Sequence, residues 1–145
     1  MKQETPMSLQ IVSRMENGDG AETYTHTASG TLRQVGDHHS LSYTSRDENG
    51  AKTMNALSWQ KGVAKLHLKR RGAVKWEVLF DPALPAMTRY ELSPLACDLR
   101  VTCHGVDLAL DEFGGTISLT YTREIGGDTA RVTYTLTARV TEDEP

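Results

Sequence analysis

Six of the chain's sixteen lysines and arginines, Lys61, Lys65, Lys69, Arg70, Arg71 and Lys75, crowd into one short stretch of a protein whose net charge is −3. Arginine at a loop tip offers paired N–H donors to phosphate or carboxylate, so Lys69, Arg70, Arg71 and Lys75 form a candidate contact for RNA or an acidic protein surface. The plain alternative is a solvated hairpin face whose lysines protect a sheet edge. The acidic balance of the whole chain gives no general attraction to nucleic acid or anionic membrane, so any such contact must be local.

The other reactive residue types are scattered. His38 and His39 are adjacent and would point to opposite faces of a strand, while His26, His67 and His104 stand alone, so no metal-ligand spacing is present. Cys97 and Cys103 fall in one expected strand on one face. At about 3.3 Å per residue they stand about 20 Å apart, beyond the Cα limit of about 7 Å for a disulfide. Two unpaired thiols suit a reducing compartment. No G-x-S-x-G elbow occurs, and Asp47-Glu48 and Asp111-Glu112 sit at expected turns, where acidic side chains bond local backbone. No catalytic residue and no cofactor is implied.

What must position these groups is a set of strands. Threonines recur at every second position in Thr23, Thr25, Thr27 and again in Thr133, Thr135, Thr137, a β-branched pattern that favours strands. A first strand is expected over 7–12, ended by Asn17-Gly18-Asp19-Gly20 and partnered by 21–29. Gly30 marks a bulge, a change of direction or a close approach. Short strands over 31–35 and 40–45 join through Gly36-Asp37-His38-His39. Another follows Asn49-Gly50 over 51–59, its inward face ambiguous, and the next covers 63–69.

In the basic hairpin, apolar pairing favours a three-residue loop of Arg70, Arg71 and Gly72, with Gly72 left-handed. Leu68 then faces Val74, Leu66 faces Trp76 and Ala64 faces Val78. On the other face His67 meets Lys75, and Lys65 meets Glu77. The loop charges turn outward.

Pro82 and Pro85 break the ladder, allowing at most one helical turn over 83–87. Strands resume over 88–92 and 95–104 across Ser93-Pro94, followed by a turn at Gly105-Val106-Asp107 and a short strand over 108–111. A final hairpin with a Gly126-Gly127 loop sets Tyr121 against Val132, Leu119 against Tyr134 and Ile117 against Leu136. Residues 1–5 and 141–145 are expected to fray.

No helix is expected, so one domain over 1–145 is read as all-β: a single antiparallel up-and-down barrel of about 8–10 strands. No stretch approaches the roughly 18 apolar residues of a membrane helix, which with the two thiols suggests the cytoplasm. A barrel of this size can hold one small ligand. Leu66, Trp76, Tyr121 and Tyr134 are its candidate interior contacts, the last three offering a polar atom beside an apolar body. The same residues could equally fill a packed core.

Several short motifs run through the whole chain: the opening Met-Lys-Gln-Glu-Thr-Pro, Gly30, Leu41-Ser42-Tyr43, Asn49-Gly50, Arg71-Gly72, Phe80, Tyr90 with Ser93-Pro94, Thr102 and Tyr121. In these the chain resembles the YwiB-like family, small bacterial proteins with a calycin-like, lipocalin-shaped β-barrel and no established chemistry. It departs where members often carry a glutamate after the tyrosine of Leu41-Ser42-Tyr43 and a glycine after Ser93-Pro94; here Thr44-Ser45-Arg46 and Leu95-Ala96 stand. The resemblance implies a fold and no catalytic residue. The expected function is non-catalytic binding of a small, partly apolar ligand, with the basic hairpin as the alternative contact site.

Overall fold

Alternation along each strand resolves into an apolar inner face and a polar outer face. In the computed structural model, which describes residues 2–92 and 94–141, ten strands follow one another without a helix. They are β1 (Lys2–Asn17), β2 (Gly20–Val35), β3 (His38–Arg46), β4 (Lys52–Gln60), β5 (Leu66–Gly72), β6 (Val74–Phe80), β7 (Ala86–Leu92), β8 (Leu95–Asp111), β9 (Gly114–Ile125) and β10 (Asp128–Val140). Each pairs antiparallel with its sequence neighbour, and β1 also pairs with β10, so the sheet closes into an up-and-down barrel. Closure removes the open edges that such a sheet would expose.

The barrel is lopsided. β8, β9, β10, β1 and β2 run for 12 to 17 residues, whereas β3 to β7 run for 7 to 9. Pairing between β2 and β3 begins only at Gly30 opposite Tyr43, so the first half of β2 extends past its neighbour as part of the β1–β2 hairpin. A side chain at Gly30 would meet Ser42 O at 2.8 Å and Leu9 Cδ1 at 2.9 Å, which explains a glycine where the two strands close together. The β6–β7 seam is short: among the described residues Val74 lies opposite Leu92 and Lys75 opposite Glu91. Across it the Trp76 indole N–H donates to Thr88 Oγ1 at 2.8 Å.

Inside, Leu32, Leu41, Leu57, Leu66, Phe80 and Ile117 are 0 to 1 % exposed and belong to one contiguous cluster. Burial of each such side chain contributes about 1.5–3 kcal/mol. Outside, Thr133, Thr135 and Thr137 of β10 alternate with buried Val132, Tyr134 and Leu136. That arrangement is the reverse of a lipid-facing barrel, whose outer band is apolar. Among the described residues no helix is long and apolar enough to cross a membrane.

The final hairpin pairs as expected, with Tyr121 opposite Val132, Leu119 opposite Tyr134 and Ile117 opposite Leu136. Other segments differ. The strands expected over 95–104 and 108–111 are one strand, β8, which is bulged between Cys103 and Gly105 and stays paired with β9 through Gly105-Val106-Asp107, where a turn was expected. Cys97 and Cys103 share that strand as free thiols. No helical turn forms over 83–87: a tight turn over 81–84 is closed by Leu84 N–H to Asp81 O at 3.1 Å, and β7 begins at Ala86. Pairing with β2 reaches Lys2, into the segment expected to fray. Met1, Ser93 and residues 142–145 lie outside the described residues.

The basic hairpin requires the largest correction. Leu68 faces Val78 and Leu66 faces Phe80, a shift of four residues from the expected register, and Arg70 faces Trp76. His67 lies opposite Leu79, and Lys69 opposite Glu77. Lys65 instead reaches Asp81 at 3.5 Å. The expected loop residues belong to strands because the neighbours recruit them: Gly72 pairs with Thr53 of β4 and Val74 with Leu92 of β7. Gly72 does take a positive φ, +126°, outside the left-handed helical well near +57°.

Candidate functional site at the barrel mouth

A shift of four preserves strand parity, so Leu66, Leu68, Trp76 and Val78 stay on the inner face. It also extends β5 by enough that Arg70 shares that face. Arg70 is therefore half-buried and points into the barrel, not outward as expected. Its guanidinium carbon lies 5.6 Å from the centre of the Trp76 ring, and its Nε is buried with no hydrogen-bond partner.

The long strands bring further groups to the same end. Along β9 the inner positions continue from Ile117, Leu119 and Tyr121 to Arg123, which donates to Met15 Sδ at 3.1 Å. Neither arginine is ion-paired to a carboxylate among the described residues. The hydroxyls of Tyr43 and Tyr134 lie 3.2 Å apart in the interior. One hydrogen bond between two hydroxyls uses one of their two protons, which leaves the other proton free to donate elsewhere. Tyr121 sits against Phe80, 4.9 Å between centroids, and 6.4 Å from Trp76.

The electrostatics follow. Burial pushes the Tyr134 hydroxyl well above the ordinary tyrosine value, reinforced by neighbouring Tyr43 and opposed by Arg70. Burial also raises Tyr121, against the pull of Arg70 and Arg123. His26, opposite Ile11 on the inner face of the extended hairpin, is lowered by burial and then by Arg70. Arginines and tyrosines act on these groups, and no carboxylate does. Glu22, on the same face as His26, is bonded by the Tyr24 hydroxyl. Beyond Arg123 a cleft of about 590 Å³ opens between the two hairpin tips, which carry Asp19 and Asp128.

The mouth is thus rich in donors. A half-buried guanidinium, a second inward arginine and tyrosine hydroxyls are donors suited to an anionic head group, and below them the Trp76, Tyr90 and Tyr121 rings pack into one aromatic cluster. Of the candidate interior contacts, Trp76, Tyr121 and Tyr134 meet here, while Leu66 lies fully buried in the same core cluster, opposite Phe80. The candidate outer patch divides: Arg70 is inside, Lys69 sits 4.0 Å from Glu77, and Arg71 and Lys75 remain exposed. The alternation that places Arg70 and Arg123 inward was present in their strands, and Tyr43 follows Leu41 in the same way.

The histidines do not converge. His67 bonds Glu77 at 2.8 Å on the outer surface, His104 bonds Thr122 at 2.6 Å, His38 is exposed and His39 is buried. Among the described residues no three His, Cys, Asp or Glu side chains group to hold a metal.

Fold and site together define a closed, up-and-down antiparallel β-barrel with an apolar core and a donor-lined mouth. The chain belongs to the family described as a domain of unknown function, DUF1934, which matches residues 9–137. It is 27% identical over 128 residues to the uncharacterized beta-barrel protein YwiB of Bacillus subtilis (strain 168), with 88% of each chain covered. The crystal structure of the ywiB protein from Bacillus subtilis matches with a TM-score of 0.84 at 24% identity, over 96% of this chain and 94% of that one. The resemblance carried by Tyr43, Gly50, Gly72 and the other short motifs is therefore one of family and of fold.

Proposed function

We propose that this barrel is a non-catalytic binding protein for a small organic anion with an apolar body, held at the mouth in the manner of calycin-like barrels. One observation carries the reading: Arg70 is turned into the barrel with its Nε buried and unpartnered. Burying a guanidinium N–H without an acceptor costs stability, and an incoming carboxylate or sulfonate relieves that cost. Arg123 and the spare hydroxyl proton of the Tyr43–Tyr134 pair supply further donors. The Trp76 and Tyr121 faces supply the apolar contact. The two free thiols favour a cytoplasmic setting.

The test uses octanoate as a probe, followed by calorimetry and by tryptophan fluorescence. Saturable binding by the wild type, weakened at least about tenfold in Arg70→Met and in Arg123→Met but unchanged in Arg71→Met, is the expected result. Equal binding by Arg70→Met and the wild type would overturn the reading, as would no binding at all.

A further inference from the structure

A second cleft, of about 520 Å³, lies at the opposite end of the barrel, between β2, β3 and β4 on one side and the end of β8 on the other. Its inner wall is set by register. Gln34 of β2 faces His39 of β3, which faces Trp59 of β4, so all three side chains enter the barrel on adjacent strands. His39 is 7 % exposed, with its ring centroid 5.5 Å from that of Trp59. Its Nδ1 is buried without a partner. Gln34 donates through Nε2 to Glu112 Oε2 at 3.3 Å, while its Oε1 is buried and unpartnered.

The carboxylate of Glu112 fixes which end of the Gln34 amide is the donor, so the orphan is an acceptor. A buried acceptor left unsatisfied is destabilising, and native interiors rarely tolerate one. Gln34 and His39, each with a buried unpartnered atom, both line this one cleft. The charges of the lining point the same way, with Asp107, Asp111 and Glu112 against Lys61 alone. Glu112 is held in its charged form, first by its own backbone N–H and then by the Gln34 amide. The lining carries net negative charge, and its buried acceptor on Gln34 has no donor partner.

We propose that this cleft is a binding site for a small organic cation bearing a primary ammonium or guanidinium group. Its N–H groups donate to Gln34 Oε1, to His39 Nδ1 in the tautomer protonated on Nε2, and to the Glu112 carboxylate. Its alkyl part lies against Trp59 and Leu108. The site is separate from the anion-binding mouth and stands or falls without it.

The probe is agmatine, titrated into the full chain and followed through the indole N–H resonances of the two tryptophans, with Trp59 assigned by Trp59→Phe. Agmatine is expected to shift the Trp59 signal saturably and leave that of Trp76 in place, whereas octanoate leaves Trp59 unmoved. Glu112→Gln and Gln34→Leu, both away from the fully buried core, are each expected to weaken agmatine by about tenfold or more while the backbone spectrum keeps its dispersion. A Trp59 resonance that stays fixed up to high millimolar agmatine, or one that moves equally in Glu112→Gln, would overturn the proposal. Either result would leave the two orphan atoms to bound water.

Discussion

Arg70 and Trp76 face each other across β5 and β6, with the guanidinium carbon 5.6 Å from the indole ring centre, inside the barrel. Two opposed effects act on that arginine. A cation over an aromatic face gains about 0.5–2 kcal/mol, whereas a buried donor left unsatisfied costs about 1–3 kcal/mol. Methionine in its place keeps similar length and apolar contact without the desolvated charge. Arg70→Met is therefore expected to stabilise the empty protein by about 1 kcal/mol, about 3 °C in midpoint for a chain of this size, as calorimetry would read. A stabilised variant that no longer binds anions is the trade-off expected of a binding residue. A loss of stability would instead make Arg70 a structural member of the aromatic cluster.

The tyrosine pair gives a pH dependence with a definite sign. Tyr134 keeps its proton in the folded barrel well above the ordinary value, chiefly because burial disfavours the phenolate. Above about pH 10 the unfolded chain releases that proton and the native chain does not, so the native state binds more protons and stability falls as pH rises. Below about pH 10 this contribution is fully present. Ultraviolet titration of the folded protein is expected to show Tyr134 and Tyr121 as late-titrating groups, and Tyr134→Phe to flatten the fall in unfolding free energy on the alkaline side. Ionisation of Tyr134 at the ordinary value would contradict the burial.

How far the barrel could be read from the sequence depended on what resolved each register. In β9 and β10 a Gly-Gly loop and unbroken alternation leave one consistent pairing, and it is the observed one. In β5 and β6 the apolar pairs Leu66, Leu68 and Val74, Trp76, Val78, Phe80 satisfy the same parity at a shift of four. The choice is made by long-range pairing of Gly72 with Thr53 and of Val74 with Leu92, which no local rule contains. The same ambiguity conceals the site. A loop tip would turn Arg70 to solvent; a strand residue two positions after Leu68 must point inward. Arg123 follows Tyr121 by the same two-residue step. The second cleft depended on Gln34, His39 and Trp59 meeting on adjacent strands, a relation set by sheet order and register.

Leu66 separates core from site. It is 0 % exposed, faces Phe80, and lies down β5 from Arg70. Leu66→Ala is expected to cost about 2–5 kcal/mol by loss of transfer energy and creation of a cavity. Octanoate affinity in the folded fraction should be within about twofold of wild type, because the head group and aromatic faces are untouched. Denaturant unfolding with a parallel binding measurement checks both. A selective loss of affinity would return Leu66 to the ligand contacts.

Gly72 tests the revised hairpin directly. A side chain there would place its Cβ 2.3 Å from Lys52 O, and the residue holds φ at +126° because the β5 backbone is drawn against β4, with the Ala73 N–H donating to Lys52 O at 2.9 Å. Gly62 also has a positive φ, +82°, but an added Cβ there meets open space. Conformational strain alone costs about 1 kcal/mol, the expected loss for Gly62→Ala. Gly72→Ala adds a backbone clash that only separation of β4 from β5 can relieve, and is expected to cost about 3 kcal/mol or more. Had Gly72 closed an isolated three-residue loop, its alanine variant would resemble that of Gly62. Chemical denaturation of the two variants side by side therefore decides between a free loop and a strand end held by its neighbour, and with it which way Arg70 must point.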